Sequence, residues 1–293
     1  MTEGRIIKAL SGFYDVENEE GIFRCRGRGV FRKKNITPLV GDFVEFDKST
    51  QGEGYILSVK PRKNALVRPP VANIDQAIIV ISAAQPDFNP LLLDRFLVLI
   101  ESKQIQPIIF ITKKDLLSES EKADLLSWQA IYQQIGYQVE FISARQHHDF
   151  DFLKRYFKDR VTIVAGQSGV GKSSLLNAIN PSLKLETDDI STSLGRGKHT
   201  TRHVELVEAG GGLVADTPGF STLDFTDIAA EELDDWFPEI SERASDCKFR
   251  GCYHHKEPKC AVKQAVADGK IAEQRYTHYI RFLDEIKSRK PRY

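Results

Sequence analysis

The fold is decided by the stretch Gly166-Gln167-Ser168-Gly169-Val170-Gly171-Lys172-Ser173, which fits the phosphate-loop pattern G-x4-G-K-S/T. The β-branched run Val161 to Ala165 precedes it, and Ser174 to Ile179 has the character of a helix that Asn180-Pro181 ends. Glycines let backbone N–H groups turn around a polyphosphate, and a helix N-terminus attracts negative charge. We therefore predict a strand, a phosphate-binding loop and a helix in that order.

Individual side chains of this stretch have distinct expected roles. Lys172 should reach the β- and γ-phosphates of a nucleotide, and the Ser173 hydroxyl should ligate Mg²⁺. Ser174 opens the helix and completes the predicted nucleotide-binding stretch. A glycine-rich turn that matches by chance is the competing interpretation, and the flanking strand and helix disfavour it.

A second motif, Asp216-Thr217-Pro218-Gly219, directly follows the apolar residues Leu213 to Ala215. Asp216 can hold the magnesium shell, and the Gly219 amide can sense a γ-phosphate. Alone, D-x-x-G is a weak signal, because many strand-to-turn junctions contain Asp and Gly. After a phosphate loop, it indicates a nucleoside triphosphate with Mg²⁺.

The motif Thr112-Lys113-Lys114-Asp115 indicates guanine rather than adenine. Asp115 can accept hydrogen bonds from N1–H and the N2 amine of guanine, a donor pair that adenine lacks. Lys113 and Lys114 could pack over the base or tether the phosphate loop. The motif usually begins with Asn, so we expect Thr112 to weaken that tether. A solvated charged turn is the alternative interpretation.

Ser143-Ala144 follows the apolar run Val139 to Ile142 and is predicted to shield the guanine beside T-K-K-D. Both motifs precede the phosphate loop in this chain, whereas in familiar GTPases the phosphate loop comes first. The sequence therefore predicts a guanine-nucleotide domain whose segments are in rotated order.

The stretch Ser182 to His203 has no clear periodicity and contains Gly-Lys-His-Thr-Thr at positions 197–201. We predict that γ-phosphate and Mg²⁺ order it, with Thr200 or Thr201 offering a metal-binding hydroxyl. Its basic residues also suit RNA phosphate, and a solvated basic loop is the alternative.

The residue after D-T-P-G is Phe220, where many signalling GTPases have a Gln that orients the attacking water. A phenyl ring cannot hydrogen-bond water, so we expect slow unassisted hydrolysis. His199 is the first candidate for a substitute, because an imidazole accepts a proton near neutral pH, and His203 is the second. A group that a partner supplies or positions is the other possibility.

A Cys/His cluster near the C-terminus, Cys247, Cys252, His254 and Cys260, has the spacing C-x4-C-x-H-x5-C. Three thiolates and one imidazole suit tetrahedral Zn²⁺ with no open position, which predicts a structural metal. Disulfides are the competing explanation, but the fourth cysteine, Cys25, is distant. His255 could replace His254 as the ligand.

Composition gives 41 basic and 41 acidic residues, so the net charge of the 293-residue chain does not indicate nucleic acid. One early stretch is strongly basic, however, and contains Phe23 and Phe31 among the cations Arg24, Arg26, Arg28, Arg32, Lys33 and Lys34. Strand-like runs surround it, namely Arg5 to Leu10, Gly41 to Phe46 and Gly54 to Val59. An OB-type barrel that binds irregular RNA is predicted, and an ordinary solvated β surface is the alternative.

The middle of the chain alternates short apolar strands with helices, which predicts a mainly parallel α/β sheet with ligand loops at the strand C-termini. The helices are Leu91 to Ser102 and Glu119 to Ile135, the second with a Ser118/Glu121 capping box. Past Asp224 the pattern is helical. No run of about 20 apolar residues and no secretory segment is present, so we expect a cytoplasmic protein without a membrane span.

The order T-K-K-D, S-A, G-Q-S-G-V-G-K-S, G-K-H-T-T and D-T-P-G, flanked by the basic β segment and the Cys/His cluster, resembles the circularly permuted ribosome-small-subunit-dependent GTPases (RsgA, also called YjeQ or YloQ). The resemblance covers nearly the whole chain. It implies an N-terminal OB-fold β-barrel (residues 1–66), a central permuted α/β P-loop GTPase domain (67–226) and a C-terminal α-helical zinc-binding domain (227–293). It also favours His199 as the catalytic histidine and His254 as the zinc ligand.

The family resemblance further implies GTP hydrolysis that the small ribosomal subunit stimulates during its late maturation. We expect a monomer that binds small-subunit rRNA with GTP and leaves after hydrolysis to GDP. Because Asp216 to Phe220 leads directly into the linker to the zinc domain, movement there could reorient the RNA-contacting modules. Two alternatives are a binding module in which nucleotide only gates RNA affinity and a small-molecule phosphotransferase, which Asp115 and D-T-P-G disfavour.

Overall fold

The computed structural model of the protein describes residues 2–33, 35–48, 53–142, 151–183, 204–216 and 223–289. Eleven strands of this part form one continuous sheet, and a two-stranded hairpin lies beside it. Among the described helices, none is both long and apolar enough to cross a membrane.

The N-terminal strands close into a small barrel, as the sequence predicted. The strands are β1 (Thr2–Leu10), β2 (Phe13–Asn18), β3 (Gly21–Gly27), β4 (Phe43–Asp47) and β5 (Gly54–Val59), with a short helix α1 (Gly29–Lys33) after β3. β1 pairs with both β2 and β4, and β3 runs parallel to β5, so the order β1-β2-β3-β5-β4 returns to β1. Alternate side chains such as Val16, Cys25 and Phe46 fill the interior.

The surface of the barrel differs from the prediction in one respect. Phe31 is a buried core residue, so its ring is not available for stacking on RNA. The Arg24 and Arg26 guanidinium groups instead lie 4.9 and 4.6 Å from the centre of the Phe13 ring. The sequence pattern missed this because Phe31 is on the inward face of α1, which local composition does not reveal.

A hairpin of β6 (Ala65–Val67) and β7 (Pro70–Ala72) connects the barrel to a central sheet. The central strands are β8 (Gln76–Ser82), β9 (Gln106–Thr112), β10 (Gln138–Ile142), β11 (Val161–Ala165), β12 (Val204–Ala209) and β13 (Gly212–Asp216). Their order is β10-β9-β8-β11-β13-β12, parallel except for β12. Every residue of β8 and β11 is buried, because helices cover both faces of a parallel sheet.

The central helices are α2 (Pro90–Glu101), α3 (Glu119–Ile135), α4 (Asp151–Phe157) and α5 (Lys172–Ile179). α3 has the predicted bounds: Ser118 and Glu121 form the capping box, and Gly136 ends the helix with a φ of 108°.

The barrel and the central sheet are joined edge to edge. β1 pairs antiparallel with β12, with Lys8 opposite Glu205 and Ala9 opposite Val204. The Lys8 ammonium lies 2.6 Å from the Glu205 carboxylate. A register shift between Ile6 and Lys8 bends β1, so that it contributes to both the barrel and the central sheet.

The C-terminal module is helical and packs on α2. It contains a 3₁₀ turn (Ala230–Trp236) and the helices α6 (Pro238–Ala244), α7 (Ala261–Ala267) and α8 (Glu273–Lys287). Its core includes Phe237, Tyr279 and Phe282, together with Val98 and Leu99 of α2. The buried residues Tyr279, Phe282 and Leu283 of α8 face this core.

Candidate functional site

The phosphate loop begins where β11 ends, at the carboxyl edge of the parallel strands. Gly166 has a φ of 142°, and a Cβ atom there would lie 2.2 Å from the Val80 carbonyl oxygen, so the position requires glycine. Gln167, Ser168 and Gly169 are exposed, while Val170 is buried and anchors the loop. Gly171 precedes α5, whose first turn contains Lys172, Ser173 and Ser174. Exposed loop amides beside a helix N-terminus form an anion-binding arrangement.

The Lys172 ammonium folds back over this loop. It donates hydrogen bonds to the Gly166 carbonyl oxygen at 2.9 Å and to the Gln167 carbonyl oxygen. Burial lowers the pKa of Lys172, because a partly desolvated ammonium is less favourable. Phosphate oxygens beside the Lys172 ammonium would stabilise its charged form by Coulomb attraction. The loop is therefore suited to an anionic ligand.

The T-K-K-D motif holds the phosphate loop from the neighbouring strand β9. The buried Thr112 hydroxyl donates to the Val170 carbonyl oxygen at 2.7 Å. The Lys113 ammonium donates to the Gly169 carbonyl oxygen at 2.7 Å. The Thr112 hydroxyl therefore reaches the loop, and Lys113 makes a second contact, while the weaker tether expected of Thr112 relative to Asn stays a prediction.

The part of the site that is expected to bind guanine lies where strands β9 and β10 end. Thr112 is paired with Ile142, so the residues that follow the two strands start next to each other. Asp115 lies in a 3₁₀ turn after β9, and the Lys114 ammonium is 4.2 Å from the centre of the Phe141 ring. Ser143 and Ala144, the expected guanine-shielding pair, lie outside the described residues.

Sequence reasoning missed one wall of this site. The Gln85 carbonyl oxygen, in the loop after β8, accepts a hydrogen bond from the Lys113 ammonium at 2.5 Å. Gln85 has a φ of 53°, and Asn89 caps α2 at the end of the same loop through a 3.0 Å bond to the Leu92 N–H. This wall could have been predicted from the sequence, because an apolar strand is followed by Gln-Pro, which is typical of a turn, and then by Asn-Pro, which is typical of a helix start.

One expected magnesium ligand, Ser173, follows strand β11 in the first turn of α5, and the other, Asp216, ends the neighbouring strand β13. β11 and β13 run parallel, so Ser173, after the phosphate loop, and Asp216, the last residue of β13, are at the same edge of the sheet. Carboxylate and hydroxyl oxygens are suitable Mg²⁺ ligands. The other predicted residues of this edge, His199, Thr200, Thr201 and Gly219, lie outside the part of the chain that the structure describes.

The Cys/His cluster has the geometry of a tetrahedral metal site. Ligand atoms of Cys247, Cys252, His254 and Cys260 all lie within 4.8 Å of one another. The Cys247 and Cys260 sulfur atoms are 3.8 Å apart, and His254 Nδ1 is 3.5 and 3.4 Å from them. Tetrahedral Zn²⁺ requires about 3.8 Å between sulfur atoms and about 3.5 Å between sulfur and nitrogen, given its usual bond lengths. The four side chains fit the ion.

The protonation chemistry of the thiols also fits a cation. Burial and the neighbouring Cys260 raise the pKa of Cys252 to about 12. Burial opposes ionisation of Cys247 as well, but the backbone N–H groups of Val262 and Ala261 outweigh it and lower the pKa. A divalent cation among the sulfur atoms would supply the positive charge that lets all three thiols ionise.

Groups around the cluster orient the imidazole. His254 Nε2 is 3.4 Å from the Asp234 carboxylate, the arrangement that commonly fixes a metal-binding histidine. The Tyr276 hydroxyl donates to the His254 carbonyl oxygen at 2.7 Å. His255 faces elsewhere, with Nδ1 4.0 Å from Asp284. His254 is thus the imidazole that meets the three sulfur atoms.

Comparison with known sequences and structures gives matches over both the barrel and the central sheet. The RsgA N-terminal domain matches residues 3–56, and the RsgA GTPase domain matches residues 59–226. The chain is 63% identical over 293 residues to small ribosomal subunit biogenesis GTPase RsgA 2 of Oceanobacillus iheyensis, covering 100% of both chains. It is 57% identical to the RsgA of Bacillus subtilis, again over 100% of both.

Two solved structures share the whole architecture. The first is YloQ, described as a circularly permuted GTPase, with a TM-score of 0.85 and 53% identity over 100% of this chain and 97% of that one. The second is YjeQ from Thermotoga maritima, with a TM-score of 0.86 and 38% identity over 98% of this chain and 99% of that one.

Proposed function

This chain belongs to the RsgA GTPase family, and we propose that it binds the small ribosomal subunit with GTP and leaves it after hydrolysis. The observation that carries the proposal is the grip of T-K-K-D on the phosphate loop, through Thr112 to Val170 and Lys113 to Gly169. These bonds support the proposal that Asp115 reads guanine, because they tie the residues just before Asp115 to the phosphate loop. One pocket can therefore hold both ends of GTP.

In the proposed reaction, water attacks the γ-phosphorus, the bond to the β-phosphate bridging oxygen breaks, and GDP and inorganic phosphate are formed. Lys172 and the loop amides neutralise the phosphate oxygens. Ser173 and Asp216, joined by Thr200 or Thr201, are the residues that would hold Mg²⁺, which would neutralise negative charge on the phosphates when bound. His199 is the proposed group that orients the water and takes its proton.

The metal proposed for the Cys/His cluster is one structural Zn²⁺ per chain, bound by Cys247, Cys252, His254 and Cys260. A closed set of three sulfur atoms and one nitrogen leaves no position for a substrate. The ion therefore shapes the loops between the ligands and takes no part in hydrolysis.

The proposed rRNA contacts are the basic barrel face around Arg24 and Arg26 and the metal-cluster module. Cations beside an aromatic ring suit the backbone charge and the exposed bases of irregular RNA. The proposed domains are residues 1–66, 67–226 and 227–293. The hairpin of β6 and β7 crosses the proposed boundary between the first and the second domain. We further propose a cytoplasmic protein that acts as a monomer.

The test is single-turnover GTP hydrolysis with and without purified small subunits, comparing the unmodified chain with Lys172→Ala and His199→Ala. We expect stimulation of the unmodified chain, loss of GTP binding in Lys172→Ala, and retained binding with a rate at least tenfold lower in His199→Ala. Unchanged stimulated turnover in His199→Ala would exclude that residue as the water-activating group. A chain that small subunits neither bind nor stimulate would exclude the proposed function.

A further inference from the structure

Arg95, on α2, contacts three separate parts of the chain at once. Its Nη1 group donates to the Leu223 carbonyl oxygen at 3.0 Å and to Glu285 Oε1 at 2.8 Å, and Nη2 donates to Glu285 Oε2. The guanidinium carbon lies 4.5 Å from the centre of the Phe225 ring and 4.9 Å from that of Phe282. Arg95 thus joins α2 to α8 and to the chain segment that enters the C-terminal module.

The Arg95 side chain is only 18% exposed, and Glu285 is 38% exposed. A bidentate guanidinium–carboxylate pair that is also stacked between aromatic rings has a defined geometry that Lys cannot reproduce. The contact is therefore more specific than an ordinary surface ion pair.

The position of α2 connects the Arg95 contact to the phosphate loop. The loop before α2 supplies the Gln85 carbonyl oxygen to Lys113, and Lys113 also holds Gly169 of the phosphate loop. At its other side, Arg95 of α2 donates to the carbonyl oxygen of Leu223, which belongs to the chain segment that leads from β13 to the C-terminal module. A continuous set of described contacts therefore runs from the phosphate loop through α2 to α8.

We propose that Arg95 is a positioning residue through which binding of the small subunit to the metal-cluster module is transmitted to the phosphate loop. This inference rests on the proposed function, because it concerns how the subunit stimulates hydrolysis. Stimulation at a distance is a coupling free energy between two sites, and it needs an element that both sites bias. The loop before α2 contacts Lys113, which holds the phosphate loop, and Arg95 fixes α2 to the module.

The experiment compares Arg95→Lys, Glu285→Gln and the double variant with the unmodified chain at saturating small subunits. The matched control is Lys103→Ala, because Lys103 follows α2 and pairs with Asp227 at 3.0 Å across the same boundary, but on the surface. We expect intrinsic hydrolysis, GTP affinity and zinc content within twofold of the unmodified chain in every variant. The stimulation factor should fall about tenfold in both single variants and remain unchanged in Lys103→Ala.

The double variant separates a specific contact from general damage. If the Arg95–Glu285 pair transmits the effect, the double variant loses no more stimulation than either single variant. Full stimulation in Glu285→Gln, which keeps the shape of the side chain, would overturn the inference even if Arg95→Lys misfolded. An equal loss in Lys103→Ala would also overturn it. If the unmodified chain is not stimulated, the proposed function fails, and this inference fails with it.

Discussion

Replacing Asp94 by Asn should destabilise the protein strongly, because Asp94 is the centre of a buried polar network between α2 and α8. Its side chain is 0% exposed and accepts hydrogen bonds from Arg275 at 2.6 Å and from the Tyr132 hydroxyl at 2.7 Å. His278 Nδ1 lies 2.5 Å away. The Arg275 side chain is 1% exposed, so its charge depends on protein partners rather than on water.

The expected loss of unfolding free energy follows from the charges that remain buried in the Asp94→Asn variant. Burial disfavours the charged guanidinium, but Asp94 and Glu239 outweigh it and raise the pKa of Arg275, so the residue stays charged. Removing one partner of a buried ion pair costs about 3 to 5 kcal/mol. Glu239 still bonds Arg275 at 2.7 Å in Asp94→Asn, so we expect the lower limit, about 3 kcal/mol. With an unfolding entropy of about 2.1 cal/mol/K per residue, that corresponds for a chain of 293 residues to a melting temperature roughly 5 °C lower.

The assay is urea unfolding of the zinc-loaded protein, followed by tryptophan fluorescence. Trp128 is a suitable reporter, because its ring stacks on that of His278 with centroids 6.1 Å apart. Arg275→Met should cost at least as much, since it leaves two carboxylates without their cation. The double variant should lose less than the sum of the single losses. A loss below about 1 kcal/mol in Asp94→Asn, or strict additivity in the double variant, would refute this account of the network.

Three further predictions concern other sites. Thr112→Val removes the hydroxyl that tethers the phosphate loop and should weaken GDP binding about fivefold, as measured with a fluorescent nucleotide, while Thr112→Asn should stay within twofold. Burial raises the pKa of Glu101 to about 7, whereas the carboxyl of the unfolded chain loses its proton near pH 4.5. The stability that the protonated carboxyl provides is therefore fully present below pH 4.5 and is lost as the pH rises to about 7. Glu101→Gln should therefore be about 1 to 3 kcal/mol more stable than the unmodified chain at pH 8 and equal to it below about pH 4 in urea titrations; a pH-independent difference would contradict the assignment. Cys260→Ser should lower bound zinc below one equivalent and increase hydrogen exchange in α7 and α8, with GDP affinity unchanged; retention of a full equivalent would exclude Cys260 as a ligand.

Several elements could be predicted from sequence because local physics determines them. The strand Val161–Ala165, the glycine loop and the helix Lys172–Ile179 follow from residue types at fixed spacing. α3 follows from its capping box and terminal glycine. The Cys/His cluster could be predicted because its four residues occur within fourteen positions.

Contacts between distant segments could not be predicted in this way. Nothing in the sequence around Arg275 distinguishes it from the exposed Arg281 of the same helix, because its partners Asp94 and Glu239 come from other helices. The pairing of β1 with β12 is likewise invisible to local patterns. The contact of Thr112 with the Val170 carbonyl oxygen also joins segments that are distant in sequence, so the motif alone did not reveal it.

The rotated segment order determines where the other two modules attach to the nucleotide domain. The chain enters this domain at β8 and leaves it at β13, and these strands are the two neighbours of β11, which carries the phosphate loop. In the segment order of familiar GTPases, the phosphate loop comes first and the strand that corresponds to β10 comes last. The final strand of the domain would then lie at the far edge of the sheet. Here β13 ends at the nucleotide edge, and the C-terminal module follows it.

The barrel reaches the same edge by pairing rather than by connection. Lys8 of β1 is opposite Glu205 of β12, and Glu205 is opposite Asp216 of β13, so one line of paired residues runs from the barrel to the expected magnesium ligand. A displacement of the β13 end therefore has a hydrogen-bonded route to the barrel and a covalent route to the metal-cluster module. Permutation thus explains how one nucleotide site can act on two modules that lie at opposite ends of the sequence.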